Sequence, residues 1–203
     1  MDAAIQSAEV KVSLLAITPD AQKLIEEAGR TCYLSFEKIG ADSAEDFITR
    51  LIKMGHDSPL EHSCATFRIE NCSRAMTHQL VRHRLMSVSQ QSQRYVDEKN
   101  FSFVIPSGLP AEDAVEFAAD METIRQMYVK WRSKGLKRED ARFVLPNACT
   151  SEIVVTANFR EWRHIIQLRI SPKAQWEIRA VCRQILSILK HHAPACFADI
   201  QLE

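Results

Sequence analysis

Between Arg82 and Tyr95 the chain reads RHRLMSVSQQSQRY, with three arginines, a histidine, three serines and three glutamines gathered around Leu85 and Met86. So many donors and acceptors cannot be buried without partners, and any fold of this chain must keep the stretch at a surface or supply it with ligands. An anionic partner is expected. Upstream, MTHQLV runs into Arg82 and His83. Gln79 and Arg82 are three apart and Gln79 and His83 four apart, which predicts a helical end carrying these side chains on one face while Met76, Leu80 and Val81 pack on the other. Beyond Met86, alternating small and polar residues predict an extended loop. A helix end entering such a loop can gather guanidinium forks, hydroxyls and amides around phosphate oxygens. On composition alone, a solvated basic helix end is the simpler account.

Composition narrows the setting. A chain of 203 residues with 46% hydrophobic content is ordinary for one sizeable globular domain. Its 26 basic and 26 acidic residues cancel, which weighs against a nucleic-acid polymer as partner, since such binding rests on a broad positive surface. No basic leader precedes a long apolar segment, and no stretch reaches about 18 consecutive apolar residues. Neither secretion nor membrane spanning is therefore expected. Cys32, Cys64, Cys72, Cys149, Cys182 and Cys196 are widely spaced without a CxxC pair, the pattern of reduced, mostly buried thiols in a cytoplasmic protein.

Periodicity and punctuation organise the rest. Residues 7–17 predict a first strand, Thr18-Pro19-Asp20 a helix start with Thr18 as cap, and AQKLIEEAG a helix ending near Gly29. Ser43, Glu45 and Asp46 open a second helix that Gly55 ends. Residues 65–70 alternate as a strand, and Ser73 caps the helix that follows. A short apolar run at 101–105 precedes the breakers Pro106, Gly108 and Pro110. Residues 111–134 predict a long helix with Val115, Met121, Met127, Tyr128 and Trp131 at helical spacing, stopped by Gly135. A short helix over 139–145, a strand over 152–158 and a helix over 161–170 come next. On that last helix Arg160, His164 and Gln167 fall near one face, and Trp162, Ile165, Ile166 and Leu168 supply apolar contacts. Pro172 starts a final long helix. With no repeat or clean division, residues 1–203 are expected to form one mixed α/β domain.

Several designs are missing: GxGxxG, the P-loop and GxSxG do not occur. Ser92 has no neighbouring base to activate it, so a phosphate hydrogen bond is its better assignment than nucleophile. HDSPLEH, residues 56–62, invites a metal reading. Its spacing is not HExxH, however, and hydrogen-bonded histidines are the preferred account.

The stretch after Gln79 resembles the signature of the flavin-dependent thymidylate synthases, carried here by Arg82, His83, Arg84, Ser87, Ser92 and Arg94. The likeness continues in Gly55, His56, Ser58, Glu61 and His62, in Arg142 before VLP, in Asn158-Phe159-Arg160, His164 and Arg169, and in AQWEIR from Ala174 to Arg179. It implies a mixed α+β fold with a central antiparallel sheet flanked by long helices, and methylation of dUMP to dTMP. FAD would be the cofactor, NADPH the reductant and 5,10-methylenetetrahydrofolate the one-carbon donor. It implies flavin contacts from Ser58, Arg82, His83, Arg84, Gln90, Asn158, Arg160 and His164. Nucleotide contacts would come from Gln79, Arg82, Gln90, Gln91, Ser92, Gln93, Arg94, Arg142 and Arg169, with Arg169 at the pyrimidine N3/O4 edge as the activating residue. No cysteine is needed as nucleophile, no metal is implied, and a homotetramer with shared sites is. The chain departs from many members at Ser89 and Gln90, which replace Asn and Glu, at Cys32, which replaces a serine, and at His164, which replaces an asparagine. A noncatalytic nucleotide-binding or RNA-interaction protein is the alternative; salt-dependent RNA binding without dTMP formation would mark it.

Overall fold

The computed structural model describes residues 9–201. The fold is mixed α+β, with a four-stranded antiparallel sheet in the order β1-β2-β4-β3 flanked by long helices. The strands are β1 (Lys11–Ile17), β2 (Cys64–Ser73), β3 (Met86–Gln90) and β4 (Thr150–Asn158). The helices are α1 (Ala21–Thr31), α2 (Ser43–Lys53), α3 (Arg74–Leu80), α4 (Ala111–Ser133), α5 (Arg138–Ala141), α6 (Phe159–Arg169), α7 (Trp176–His192) and α8 (Pro194–Phe197). Contacts fall into two compact units. The first holds residues 9–11, Ile69–Arg82 and Ser89–Ile153; the second holds Val12–Arg68, His83–Val88 and residues 154–201.

In the second unit, alternation on the strands builds the core. Ala65 and Phe67 on β2 and Val155 and Ala157 on β4 are buried, as a two-residue side-chain period requires. On the other face the hydroxyls of Thr66 and Thr156 meet at 2.9 Å, a cross-strand pair of the kind that fixes register. Asn158 ends β4 and caps α6, its Oδ1 accepting from the Glu161 backbone N–H at 2.8 Å, which satisfies a donor the helix leaves open. Trp162, Ile165 and Ile166 then face inward and are fully buried. The Trp162 ring meets Phe67 edge-on at 5.2 Å and donates its indole N–H to the Ala65 carbonyl at 3.0 Å. Arg163 reaches the Cys196 carbonyl at 2.6 Å and both carboxylate oxygens of Asp199, tying the segment after α7 to α6.

The first unit is held by α4 and by polar pairs. Ser73 caps α3 as expected, accepting from the Met76 N–H at 3.0 Å. Of the predicted apolar face of α4 only Met121 and Tyr128 are buried, while Val115, Met127 and Trp131 stay exposed. The Tyr128 hydroxyl accepts from the Glu98 N–H at 3.3 Å.

Several expectations are corrected. β1 starts at Lys11 rather than Ser7; residues 7 and 8 lie outside the described residues. Thr18 does not cap α1: Asp20 holds the N-cap position in the left-handed region, and Thr18 instead pairs with Cys64, whose N–H its hydroxyl accepts at 2.9 Å. Residues 101–105 make only a bridge, Phe103 with Cys149. Pro172 precedes α7, which Gln175 caps through the N–H groups of Glu177 and Ile178. The stretch after Met86 is strand β3, and α3 stops at Leu80, leaving Arg82 and His83 in the following turn.

Gly29 does not end α1 but lies inside it, because the helix packs tightly there: a Cβ would stand 2.7 Å from the Phe47 ring. The same ring carries the Arg30 guanidinium at 4.6 Å from its centroid, and Arg30 is bound through Nε at 2.8 Å and Nη2 at 2.6 Å to Glu26. Gly29→Ala gains about 0.5–1 kcal/mol of helix propensity but overpacks a held ring at about 1–3 kcal/mol. A net loss of about 1 kcal/mol is expected by chemical denaturation; a stabilised variant would show that Phe47 yields freely.

Candidate active site

The capped start of α6 turns Arg160, His164 and Gln167 outward because Trp162, Ile165 and Ile166 take the opposite face. The three outward residues, with Asn158, line a groove of about 1040 Å³ whose other walls include Asp57, Glu61 and Leu85. Arg160 donates through Nη1 to Glu61 Oε1 at 2.5 Å, and that bond, then the charge of Glu61, pushes the Arg160 pKa up further. A groove of this size with an imidazole, a guanidinium and an amide on one rim suits a large, planar, partly anionic ligand. Ser58 is exposed on the turn that carries Asp57 and Glu61, and Arg84 is exposed next to Leu85. Among the described residues, no group of three or more His, Cys, Asp or Glu side chains is placed to hold a metal ion.

Behind this groove His83 is buried. Arg169, the last residue of α6, donates its Nε–H to His83 Nε2 at 3.0 Å, while Nδ1 faces Glu161 Oε1 at 3.9 Å. The His164 ring stands edge-on at 5.8 Å. Burial above all, then the charge of Arg169 and of His164, brings the His83 pKa down from 6.5 to about 4. The imidazole is thus neutral at ordinary pH and accepts at Nε2. The structure brings His83, His164 and Arg169 together.

The first unit holds the remaining signature residues. Gln90 donates its amide to the Thr77 hydroxyl at 2.9 Å and the Ser151 hydroxyl at 3.2 Å, and Thr77 passes its own hydrogen to the Arg74 carbonyl at 2.9 Å. Gln91 donates to Glu98 at 3.1 Å, a carboxyl whose pKa burial raises. Gln93 is buried, Ser92 half-buried, with its hydroxyl accepting from the Arg94 N–H at 3.3 Å. Arg94 binds Glu139 through Nε at 3.2 Å and Nη2 at 3.0 Å, and Arg142 donates to the Glu139 carbonyl at 3.0 Å. Glu139 therefore gathers Arg94 and Arg142, two arginines 48 positions apart in the chain. Arg82 is exposed after α3, and Gln79 is half-buried on it.

Sequence reasoning missed Glu139, Glu98 and Glu161. Glu139 precedes Arg142 by one helical turn, a weak cue; nothing nearby in sequence links it to Arg94. Arg30, Thr31 and Cys32 fall where the resemblance implies a flavin-contacting turn; Arg30 is buried against Glu26 and Phe47, and Cys32 is exposed.

Residues 13–195 match the family described as thymidylate synthase complementing protein. The chain belongs to the flavin-dependent thymidylate synthase family. It is 42% identical over 200 residues to the flavin-dependent thymidylate synthase of Geobacter sulfurreducens, covering 94% of this chain and 86% of that one. It is 39% identical over 212 residues to that of Clostridium tetani, covering 93% and 85%, and 41% identical over 211 residues to that of Nitratidesulfovibrio vulgaris, covering 94% and 86%. The matched segment contains the signature residues and, apart from Asp199, the residues that line the α6 groove.

The buried imidazole generates a pH prediction. The unfolded chain protonates His83 near 6.5, the folded chain only near 4, so the unfolded state binds more protons in between and stability falls as pH drops through that window. Relative to His83→Gln, which has no such proton to take up, the wild-type margin of stability should shrink from pH about 6.5 to about 4. Chemical denaturation of both proteins across that range tests this, and a margin independent of pH would refute it.

Proposed function

We propose that this thymidylate synthase methylates dUMP to dTMP with 5,10-methylenetetrahydrofolate as one-carbon donor, FAD as cofactor and NADPH as reductant. The observation that carries the reading is the outward face of α6, where Asn158, Arg160 and His164 share one groove and Arg169 closes the same helix against His83. These residues fit a flavin: the groove is roomy, and its donors and imidazole edge match the ring heteroatoms and phosphates such a cofactor presents. Ser58, Arg82, His83, Arg84, Gln90, Asn158, Arg160 and His164 would hold it. When bound, FAD supplies the hydride that completes the new methyl group.

The nucleotide falls to Gln79, Arg82, Gln90, Gln91, Ser92, Gln93, Arg94, Arg142 and Arg169. Arg94 and Arg142, converging on Glu139, suit a phosphate, since a guanidinium already held in place loses less freedom when the anion arrives. Arg169 stabilises negative charge that develops on the uracil during methyl transfer. No thiol is asked to act as nucleophile: burial pushes Cys149, Cys182 and Cys196 up to about 12, away from the thiolate such attack requires. The proposal includes a cytoplasmic homotetramer with shared sites. Exposed Tyr33, Leu34, Tyr95 and Phe143 support association, and free cysteines suit a reducing compartment.

Purified protein should show a flavin spectrum or take up FAD on titration, and NADPH-dependent deuteride should reach product only when dUMP and the folate are both present. Absence of flavin and of FAD uptake overturns the reading; reduction of flavin without transfer to dUMP marks a generic reductase. Within the site, Arg94→Ala should weaken dUMP binding by about 1.5–3 kcal/mol with a smaller loss at saturation. Arg169→Ala should keep FAD but raise the barrier of the saturated reaction by about 2–4 kcal/mol. Single-turnover methyl transfer beside FAD content and dUMP affinity separates these effects; an unchanged saturated rate in Arg169→Ala removes its activating role, and unchanged dUMP affinity in Arg94→Ala removes the phosphate assignment.

A further inference from the structure

Glu161 is a carboxylate in the wall of the α6 groove with only 7% of its surface exposed, and a charge so largely covered is costly unless it is used. It sits eight residues before Arg169 on the same helix, about 12 Å along the axis at 1.5 Å per residue, so the two cannot touch. His83 enters from the turn after α3 and stands between them, Nε2 against Arg169 Nε at 3.0 Å and Nδ1 toward Glu161 at 3.9 Å. Only one protonation pattern satisfies both ends. The Arg169 Nε–H is a donor that cannot give up its proton, so Nε2 must carry a lone pair and the ring proton must lie on Nδ1. A doubly protonated ring would set two donors and two positive charges 3.0 Å apart; the Nε2–H tautomer would set two hydrogens in that gap. His164, the other titratable group on this side, presents its ring edge and not a hydrogen bond. At 3.9 Å Glu161 is too far for a direct hydrogen bond, so it acts through its charge, favouring the proton on the nearer nitrogen.

We propose that Glu161 is a positioning residue of the reaction: by keeping the His83 proton on Nδ1, it leaves Nε2 as the acceptor that fixes the Arg169 guanidinium for its work on the pyrimidine. This rests on the reading of Arg169 as the activating residue. Removing the carboxylate frees the ring to sample the Nε2–H tautomer, which expels Arg169 from its bond, so chemistry slows while substrate capture changes little.

The test follows the ring nitrogens and the rate separately. In histidine-labelled, FAD-loaded protein, nitrogen NMR should show His83, assigned by its loss in His83→Gln, with a protonated Nδ1 and an unprotonated Nε2 at neutral pH. Glu161→Leu should mix the two tautomers and lower the saturated rate on the order of tenfold, with KM for dUMP and FAD content nearly unchanged. Glu161→Gln, which keeps the shape of the side chain but removes its charge, should mix the tautomers and lose rate to about the same extent as Glu161→Leu. A wild-type His83 protonated on Nε2 overturns the proposal even where Glu161→Leu does not fold, and so does a Glu161→Leu protein with unaltered tautomer and rate. If the tautomer changes in Glu161→Leu while Arg169→Ala retains the full saturated rate, the failure lies in the role given to Arg169 and the link to rate falls with it.

Discussion

The indole of Trp162 meets two requirements of the second unit at once. Its ring fills the core against the edge of Phe67, and its N–H satisfies the Ala65 carbonyl within the same strand neighbourhood. A buried aromatic with a polar handle has one orientation that serves both, so α6 cannot rotate about its axis without losing packing and a hydrogen bond together. The outward direction of Arg160, His164 and Gln167 follows from that lock, because side chains two and five residues away on a helix have no independent choice of face. Asn158 fixes where the helix begins, and Arg163 holds the segment around Cys196 and Asp199 against its buried side. The rigidity needed to aim a guanidinium at a reacting ring is thus set by apolar packing on the far side of the helix.

A net charge of zero and a candidate site for anionic ligands are compatible because several of the arginines are each held by an acid. Glu61 takes Arg160, Glu139 takes Arg94, Asp199 takes Arg163 and Glu26 takes Arg30. These pairs differ in purpose by their burial. Arg30 and Glu26 are both almost wholly buried, so breaking either would strand a charge in the core. Arg94–Glu139 and Arg160–Glu61 are half-exposed, where an ion pair contributes little to stability. Weak pairs of this kind hold a guanidinium in place and still let an incoming anion displace the acid.

Elements whose side chains report a buried face were legible in the sequence. The two-residue alternation of β2, the β-branched run of β4, the Ser73 cap and the apolar stripe of α6, apart from Leu168, which is exposed, all reflect local rules that tertiary contacts reinforce. β3 was not legible, since Ser87, Val88 and Ser89 are exposed and its strand character comes from backbone pairing alone. The end of α3 at Leu80 was missed because nothing in VRHR breaks a helix. The meeting of Arg94 with Glu139, and of His83 with Glu161, joins residues far apart in the chain, where no periodicity carries information. Gly29 read as a stop because the residue type is common after helices, whereas the deciding fact was the ring of Phe47 against it.

Gln90 shows how one amide can set the direction of a chain of hydrogen bonds. Its nitrogen gives to Thr77, and Thr77 in turn gives to the Arg74 carbonyl. An acid at position 90 has no hydrogen to give at neutral pH, so both Thr77 and Ser151 would have to turn their hydroxyl hydrogens toward it, and Thr77 would abandon the carbonyl of α3. The flow of donors would then run from the helix into the strand instead of from the strand into the helix. Replacing an acid by glutamine here is therefore a reversal of polarity along three residues, and an organism that changes position 90 changes the preferred hydroxyl orientations at 77 and 151 with it.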